Sequence, residues 1–214
     1  MRGRIAGALR RAATPWGITI LFTAAWLALT IPSLPNSRLI GPDMYVIIGN
    51  LRADHSAAAV WSWFSGHWVQ GAEYYRPIPS LLHWADYMIW GAAPYGWRLT
   101  NALLLAATFP ALTWLCARGL QCPWAGPVAA VALIRFHPAV EMPIYPAWRT
   151  DLLCGLFLLL ATAAALQYIR EGAEKRLWLA LGMLLLALMS KEVAVVWPAV
   201  AAIAVLLMGR NRHG

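Results

Sequence analysis

The feature that most limits what this chain can fold into is a succession of apolar runs separated by short charged or proline-rich breaks. They lie at about 16–34, 99–120, 124–136, 152–169, 177–189 and 193–208. A helix needs about 20 apolar residues to cross a hydrocarbon core ~30 Å thick, and backbone groups surrounded by lipid are satisfied only in helices or closed barrels. Of the 214 residues 61% are hydrophobic and 12% charged, where a soluble domain is about a quarter charged. The sequence therefore predicts an all-α fold, a polytopic transmembrane helix bundle of about six spans. The last two runs read as a hairpin turning at Ser190–Glu192. As one helix, 177–208 would extend about 48 Å and carry Lys191 and Glu192 to mid-membrane, where each charge costs at least ~2.5–3.5 kcal/mol.

The interval 35–97 is polar by comparison and rich in tryptophan. It reads as an outer loop holding interfacial helices, with indole rings at headgroup depth. In its piece 79–90, Leu81, Leu82, Ala85, Met88 and Ile89 follow one side while His83 and Asp86 share another. About twelve helical residues cover only ~18 Å, so an interfacial helix is favoured over a span.

The organisation that follows is a basic cytoplasmic N-terminus (1–15), a membrane module (16–208, with the outer loop at 35–97) and a cytoplasmic tail (209–214). With the N-terminus inside, ten of the 17 Lys and Arg lie on inner segments, in keeping with the positive-inside rule. Seven of the nine Asp and Glu then face outward. The net charge of +8 flanks apolar spans and forms no solvated stripe, which argues against nucleic acid as a partner. Cys116, Cys122 and Cys154 sit in or beside apolar runs without metal-ligand spacing and read as packing residues.

The densest group of ionisable residues is the stretch RFHPAVEMPIYPAWRTD, 135–151, where Pro138, Pro143 and Pro146 interrupt the flanking helices. Three outer segments can converge there: the first loop (Asp43, Asp54, Tyr75, Arg76), the second (His137, Glu141, Arg149, Asp151) and the hairpin tip (Lys191, Glu192). Acids beside Arg and Lys at a bilayer surface suit a reaction in which a carboxylate activates an acceptor while cations hold a phosphate leaving group. Each residue also has a plainer role. Asp43 can cap a helix, Arg149 and Asp151 can form a surface ion pair, and Lys191 can snorkel to headgroups. His137 reads as a structural donor before Pro138. No metal or other cofactor is required by the spacing; Glu141, Asp151 and Asp43 are ligand types that a divalent cation accepts.

The motifs PDMYVIIGN, YYRPI, GWRLTNALLL, FHPAVE with WRTDLL, and LLLALMSKE occur in the order seen in a known family. Over about residues 15–208 the chain resembles the N-terminal half of membrane glycosyltransferases of the C-fold class, which use polyprenyl-phosphate sugars. The likeness is greatest to protein O-mannosyltransferase-like enzymes, including those with tetratricopeptide repeats. The resemblance implies sugar transfer at the outer face of a bacterial-type inner membrane. It implies Asp43 as the catalytic carboxylate, Arg76, Glu141, Arg149, Asp151, Lys191 and Glu192 as substrate-binding residues, and a polyprenyl-phosphate sugar lipid as partner. The chain departs from the family pattern where Pro42 replaces the first member of an acidic pair, in a His137-to-Glu141 spacing one residue short, and in Arg98 and Ala106 where histidines often stand. Two readings stay open: a hexosyltransferase, whole or as a module, and a non-catalytic relative that binds lipid phosphate or a partner membrane protein. A transporter is disfavoured, because the span interiors offer mainly Asn101 and a few threonines as a polar path.

Overall fold

The computed structural model describes residues 14–36, 42–66, 74–136 and 141–202. All regular structure among them is helical. Helix α1 spans Pro15–Thr30; Thr14 caps it through a 3.0 Å bond from the Gly17 amide, and Pro15 fills the first position, where a missing N–H costs nothing. α2 (Pro42–Ala53) and the short α3 (Ala57–Ser62) precede α4 (Pro77–Trp90) and α5 (Pro94–Trp114). Then come α6 (Ala125–Arg135), α7 (Arg149–Glu171) and α8 (Glu174–Leu188).

Three helical stretches are long and apolar enough to cross a membrane: Pro15–Pro35, Pro94–Gly119 and Pro146–Glu171. The 26 residues of each of the last two would rise about 39 Å as ideal helix. Two other runs expected to cross form shorter helices. α6 has 11 residues and α8 has 15, or about 16 and 22 Å, and the last run is described only as far as Ala202.

Small residues let these helices approach closely. Ala161, Ala163 and Ala164 of α7 and Ala180 and Ala187 of α8 are all buried, the composition that membrane helix interfaces favour. α7 and α8 form an antiparallel hairpin turned by Gly172, whose φ of 66° is the left-handed value a helix C-terminus favours. On the other side, α1, α5 and α6 meet around Leu105, Ala106, Phe109 and Ala130. Phe22 and Trp26 pack against Phe109 at 5.3 and 5.5 Å, the second edge-on. Thr19 and Thr113 share a buried 2.7 Å hydrogen bond between α1 and α5.

The turn at Ser190 reverses the chain. α8 ends at Leu188, and Lys191 is extended (φ −158°, ψ 136°) before a 3-10 turn at Glu192–Val196. Lys191 bonds Asp151 near the start of α7, whereas Trp197 Nε1 donates to Thr162 Oγ1 at 2.8 Å, eleven residues further along that helix. The segment after Lys191 therefore runs parallel to α7 and antiparallel to α8, as the hairpin reading expected.

α4 differs from expectation. It starts at Pro77, and its polar side faces protein: Ser80, His83 and Asp86 are buried, while Met88 and Ile89 are exposed. The amphipathic pattern of 79–90 was legible, but its polar face is turned inward because a buried cation awaits it there.

Gly126 of α6 lies so close to α5 that a Cβ would stand 2.5 Å from Thr113 Cα. Gly126→Leu should push α5 and α6 apart and destabilise the fold by about 1–3 kcal/mol. Thermal unfolding in detergent should show a lowered midpoint, whereas Gly182→Leu, where the space is open, should unfold near the wild-type temperature.

Candidate functional site

The prolines of YYRPIP fix where α4 begins, and that start is fastened to the hairpin tip by a backbone bond from Ile78 N to Met189 O (3.3 Å). The start of α7 completes the meeting of three segments distant in sequence. Two ion pairs join them at the surface. Arg76 donates through two nitrogens to both Glu192 oxygens, at 2.7 and 3.2 Å, the fork geometry that suits guanidinium and carboxylate. Its guanidinium also lies 4.4 Å from the Tyr74 ring centroid. Hydrogen bonding from Arg76 holds the Glu192 carboxyl below the usual carboxylate range, against a smaller opposing effect of burial. Lys191 Nζ bonds Asp151 Oδ1 at 2.5 Å.

Beneath them lies Arg149, wholly buried. Its NH2 donates to Asp86 Oδ2 at 2.5 Å and to the Trp97 carbonyl at 3.1 Å. Its Nε donates to Asn101 Oδ1 at 3.0 Å, and its NH1 to His83 Nδ1 at 3.1 Å. An imidazole nitrogen that accepts from a guanidinium is unprotonated, so His83 is neutral with its proton on Nε2. The His83 ring stacks on Trp97 at 5.6 Å. Asp86 also accepts from Thr100 Oγ1 at 2.6 Å, and Asn101 Nδ2 holds the Met142 and Tyr145 carbonyls at 2.9 and 3.2 Å. One charge thus ties α4, α5, the 142–145 turn and α7 together.

Of the residues expected from sequence, Arg76, Asp151, Lys191 and Glu192 come together. Arg149 is adjacent but takes a different role from the substrate ligand expected: all three nitrogens are spent on protein acceptors and none of its surface is exposed. Glu141 is half-buried and begins a turn, its carbonyl accepting from the amides of Ile144 and Tyr145. Asp43 is exposed in the first turn of α2 and takes no part in either ion pair. His137 lies outside the described residues. Sequence reading missed His83, Asp86 and Asn101 as partners of Arg149, and Thr100 as a donor to Asp86. The signal was present: two ionisable groups three residues apart share a helix face, and Thr100 and Asn101 are adjacent polar residues at the start of an apolar span.

A cavity of about 530 Å³ opens between α5, α6 and α7. Leu105, Leu112, Leu133, Leu158 and Leu159 are among its walls, and Gly155 leaves it wide. The hydroxyls of Thr108 and Thr162 in its lining donate to carbonyls of their own helix turns, so they add little free polarity. Asp151 also lines it. From Asp151 to Thr162 the cavity follows α7 for about 16 Å. Its polar end therefore adjoins the two ion pairs, and its length is apolar. Such a shape accepts a molecule with a charged head and a hydrocarbon tail. Among the described residues, no three His, Cys, Asp or Glu side chains are grouped to hold a metal ion.

The chain matches no protein-family model, no curated protein and no solved structure.

Removing one partner of a buried ion pair leaves the other charge stranded, at a cost of about 3–5 kcal/mol. Asp86→Asn and Arg149→Met should each lower the unfolding midpoint sharply. Arg149→Lys should not rescue it, since an ammonium cannot reproduce four bonds made in a plane. Guanidine-induced unfolding of purified protein followed by tryptophan fluorescence checks this.

Proposed function

We propose that the chain binds a polyprenyl-phosphate sugar and transfers the sugar to an acceptor at the outer face of a bacterial-type inner membrane. The observation that carries this reading is the apolar cavity whose one polar end is Asp151, paired to Lys191 and next to Arg76–Glu192. The hydrocarbon chain lies along α7, and its phosphate meets Lys191 and Arg76. Arg can grip phosphate through two nitrogens, while Lys supplies a compact charge. Arg149 stays beneath as the support that positions the start of α7. Asp43 is the general base for the acceptor hydroxyl, a role taken from the motif resemblance. The six-span arrangement with both termini cytoplasmic belongs to the same proposal, with α6 and α8 as its shorter crossings and the run after Glu192 as its last.

The second reading, a non-catalytic protein that binds lipid phosphate, is favoured by Pro42 standing where an acid would complete a pair with Asp43. Reconstituted protein supplied with a labelled polyprenyl-phosphate sugar and a cell-envelope acceptor fraction separates the two. Transfer that Asp43→Asn reduces at least 100-fold supports the enzyme; lipid binding without transfer supports the second reading. Gly155→Phe projects a ring into the cavity from a position with open space around its Cβ. It should abolish lipid binding in either case, with the unfolding midpoint preserved.

Topology is tested by single cysteines in a background lacking Cys116, Cys122 and Cys154. Ala58→Cys, at an exposed position, should react with an impermeant maleimide in intact cells with the outer membrane opened. Asn211→Cys should react only after the inner membrane is permeabilised. The reverse pattern would turn the site toward the cytoplasm.

A further inference from the structure

Arg76 is a nearly hidden hub with two exposed partners. Its side chain is only 12% exposed, yet its guanidinium lies 4.4 Å from the centre of the Tyr74 ring and donates through two nitrogens to Glu192. Tyr74 is 50% exposed and the Glu192 side chain 58%. Stacking on the ring and a fork with the carboxylate hold both groups in place. Next along the chain, the Tyr75 hydroxyl donates to the Phe64 carbonyl at 3.2 Å and anchors the backbone beside Tyr74. A ring and a carboxylate are thus fixed around one guanidinium, with much of their surface open. Exposed pairs of this kind add little stability, so their use lies in what they present outward.

We infer that Tyr74 and Glu192 bind the hexose of the lipid-linked donor, Tyr74 beneath its ring and Glu192 at its hydroxyls. This rests on the reading of the cavity as a prenyl-phosphate site. Lys191 and Glu192 are consecutive, and they reach different partners. Lys191 meets Asp151, which lines the cavity, while Glu192 meets Arg76 with Tyr74 beside it. A donor whose phosphate lies at Lys191 carries its sugar on that same phosphate, one linkage away and within reach of the adjacent carboxylate. The chemistry on both sides matches a sugar. One face of a hexose is a patch of C–H groups with slight positive charge, which packs on the negative face of an aromatic ring. Its rim is made of hydroxyls, and an ionised carboxylate accepts from them with the lone pairs left after its two bonds to Arg76. A ring that served only to anchor the protein at headgroup depth would need no carboxylate beside it.

The test measures binding to the full chain in neutral-lipid nanodiscs of farnesyl phosphate esterified to mannose, glucose or N-acetylglucosamine. Farnesyl methyl phosphate, a diester of the same single charge, is the reference without a sugar. Wild type should bind at least one glycosyl diester about tenfold more tightly than the methyl diester. Tyr74→Leu, which keeps an apolar side chain, and Glu192→Gln should each bring that ratio close to one, whereas Tyr74→Phe, which keeps the ring, should retain it. In wild type labelled with fluorotyrosine, the Tyr74 resonance, assigned by its absence from Tyr74→Phe, should shift with the glycosyl diester and not with the methyl diester. This readout needs no variant to bind. A wild-type ratio near one for all three sugars, or a ratio unchanged by Tyr74→Leu or by Glu192→Gln, overturns the inference while the cavity reading stands. If wild type binds neither the glycosyl diesters nor the methyl diester, the cavity reading and the inference fall together.

Discussion

A guanidinium with no exposed surface is the constraint on which the rest of this structure depends. Arg149 begins a 23-residue apolar helix, and desolvating its charge is costly unless an anion and several acceptors surround it. Asp86 supplies the charge, and Asn101, His83 and the Trp97 carbonyl supply the remaining acceptors. Those partners come from two other helices, so their positions relative to α7 are set by what one side chain requires. Replacing such a centre by apolar residues is often neutral for stability. Its retention here fits a need for one fixed geometry, since a turn further along α7 lies the wall of the cavity.

The surface pairs depend on this centre. α4 is drawn against α5 and α7 by His83 and Asp86, and its N-terminal end brings Arg76 beside the hairpin tip. The bond from Ile78 N to Met189 O then joins that end to the residues preceding Lys191. Exposed ion pairs of the Arg76–Glu192 kind contribute little stability alone. Their geometry is inherited from the buried layer.

Much of this was legible in the sequence. Apolar runs and their breaks marked helices α1, α5 and α7, because burial in lipid demands length and hydrophobicity that are visible in the residues themselves. The meeting of Arg76, Asp151, Lys191 and Glu192 followed from placing charged segments on one side of a membrane. The orientation of α4 was not legible. His83 and Asp86 form a polar face under either arrangement, and only the location of Arg149, 63 residues from Asp86 along the chain, decides which way that face turns. The same long-range pairing converted Arg149 from an expected ligand to a support. The lengths of the shorter helices were not legible for a related reason: composition marks α6 and α8 as apolar, but helix length is set by Phe136, Gly172 and Ser190, where capping and tertiary contacts end them.

The first helix shows how such a bundle can be put in register. α1 is apolar around nearly its whole circumference, with Thr19 its only buried residue, so beyond the packing of Phe22 and Trp26 on Phe109 its hydrophobic pattern does little to fix its depth. Two polar points of attachment supply what is missing. Near its beginning Thr19 meets Thr113, and beyond its end the Leu34 carbonyl accepts from Arg98 at 3.4 Å. Those points are fifteen residues apart on one strand of the pairing and fifteen apart on the other, a matched spacing between antiparallel helices. α1 is therefore held against α5 in one register by two marks spaced alike on both partners.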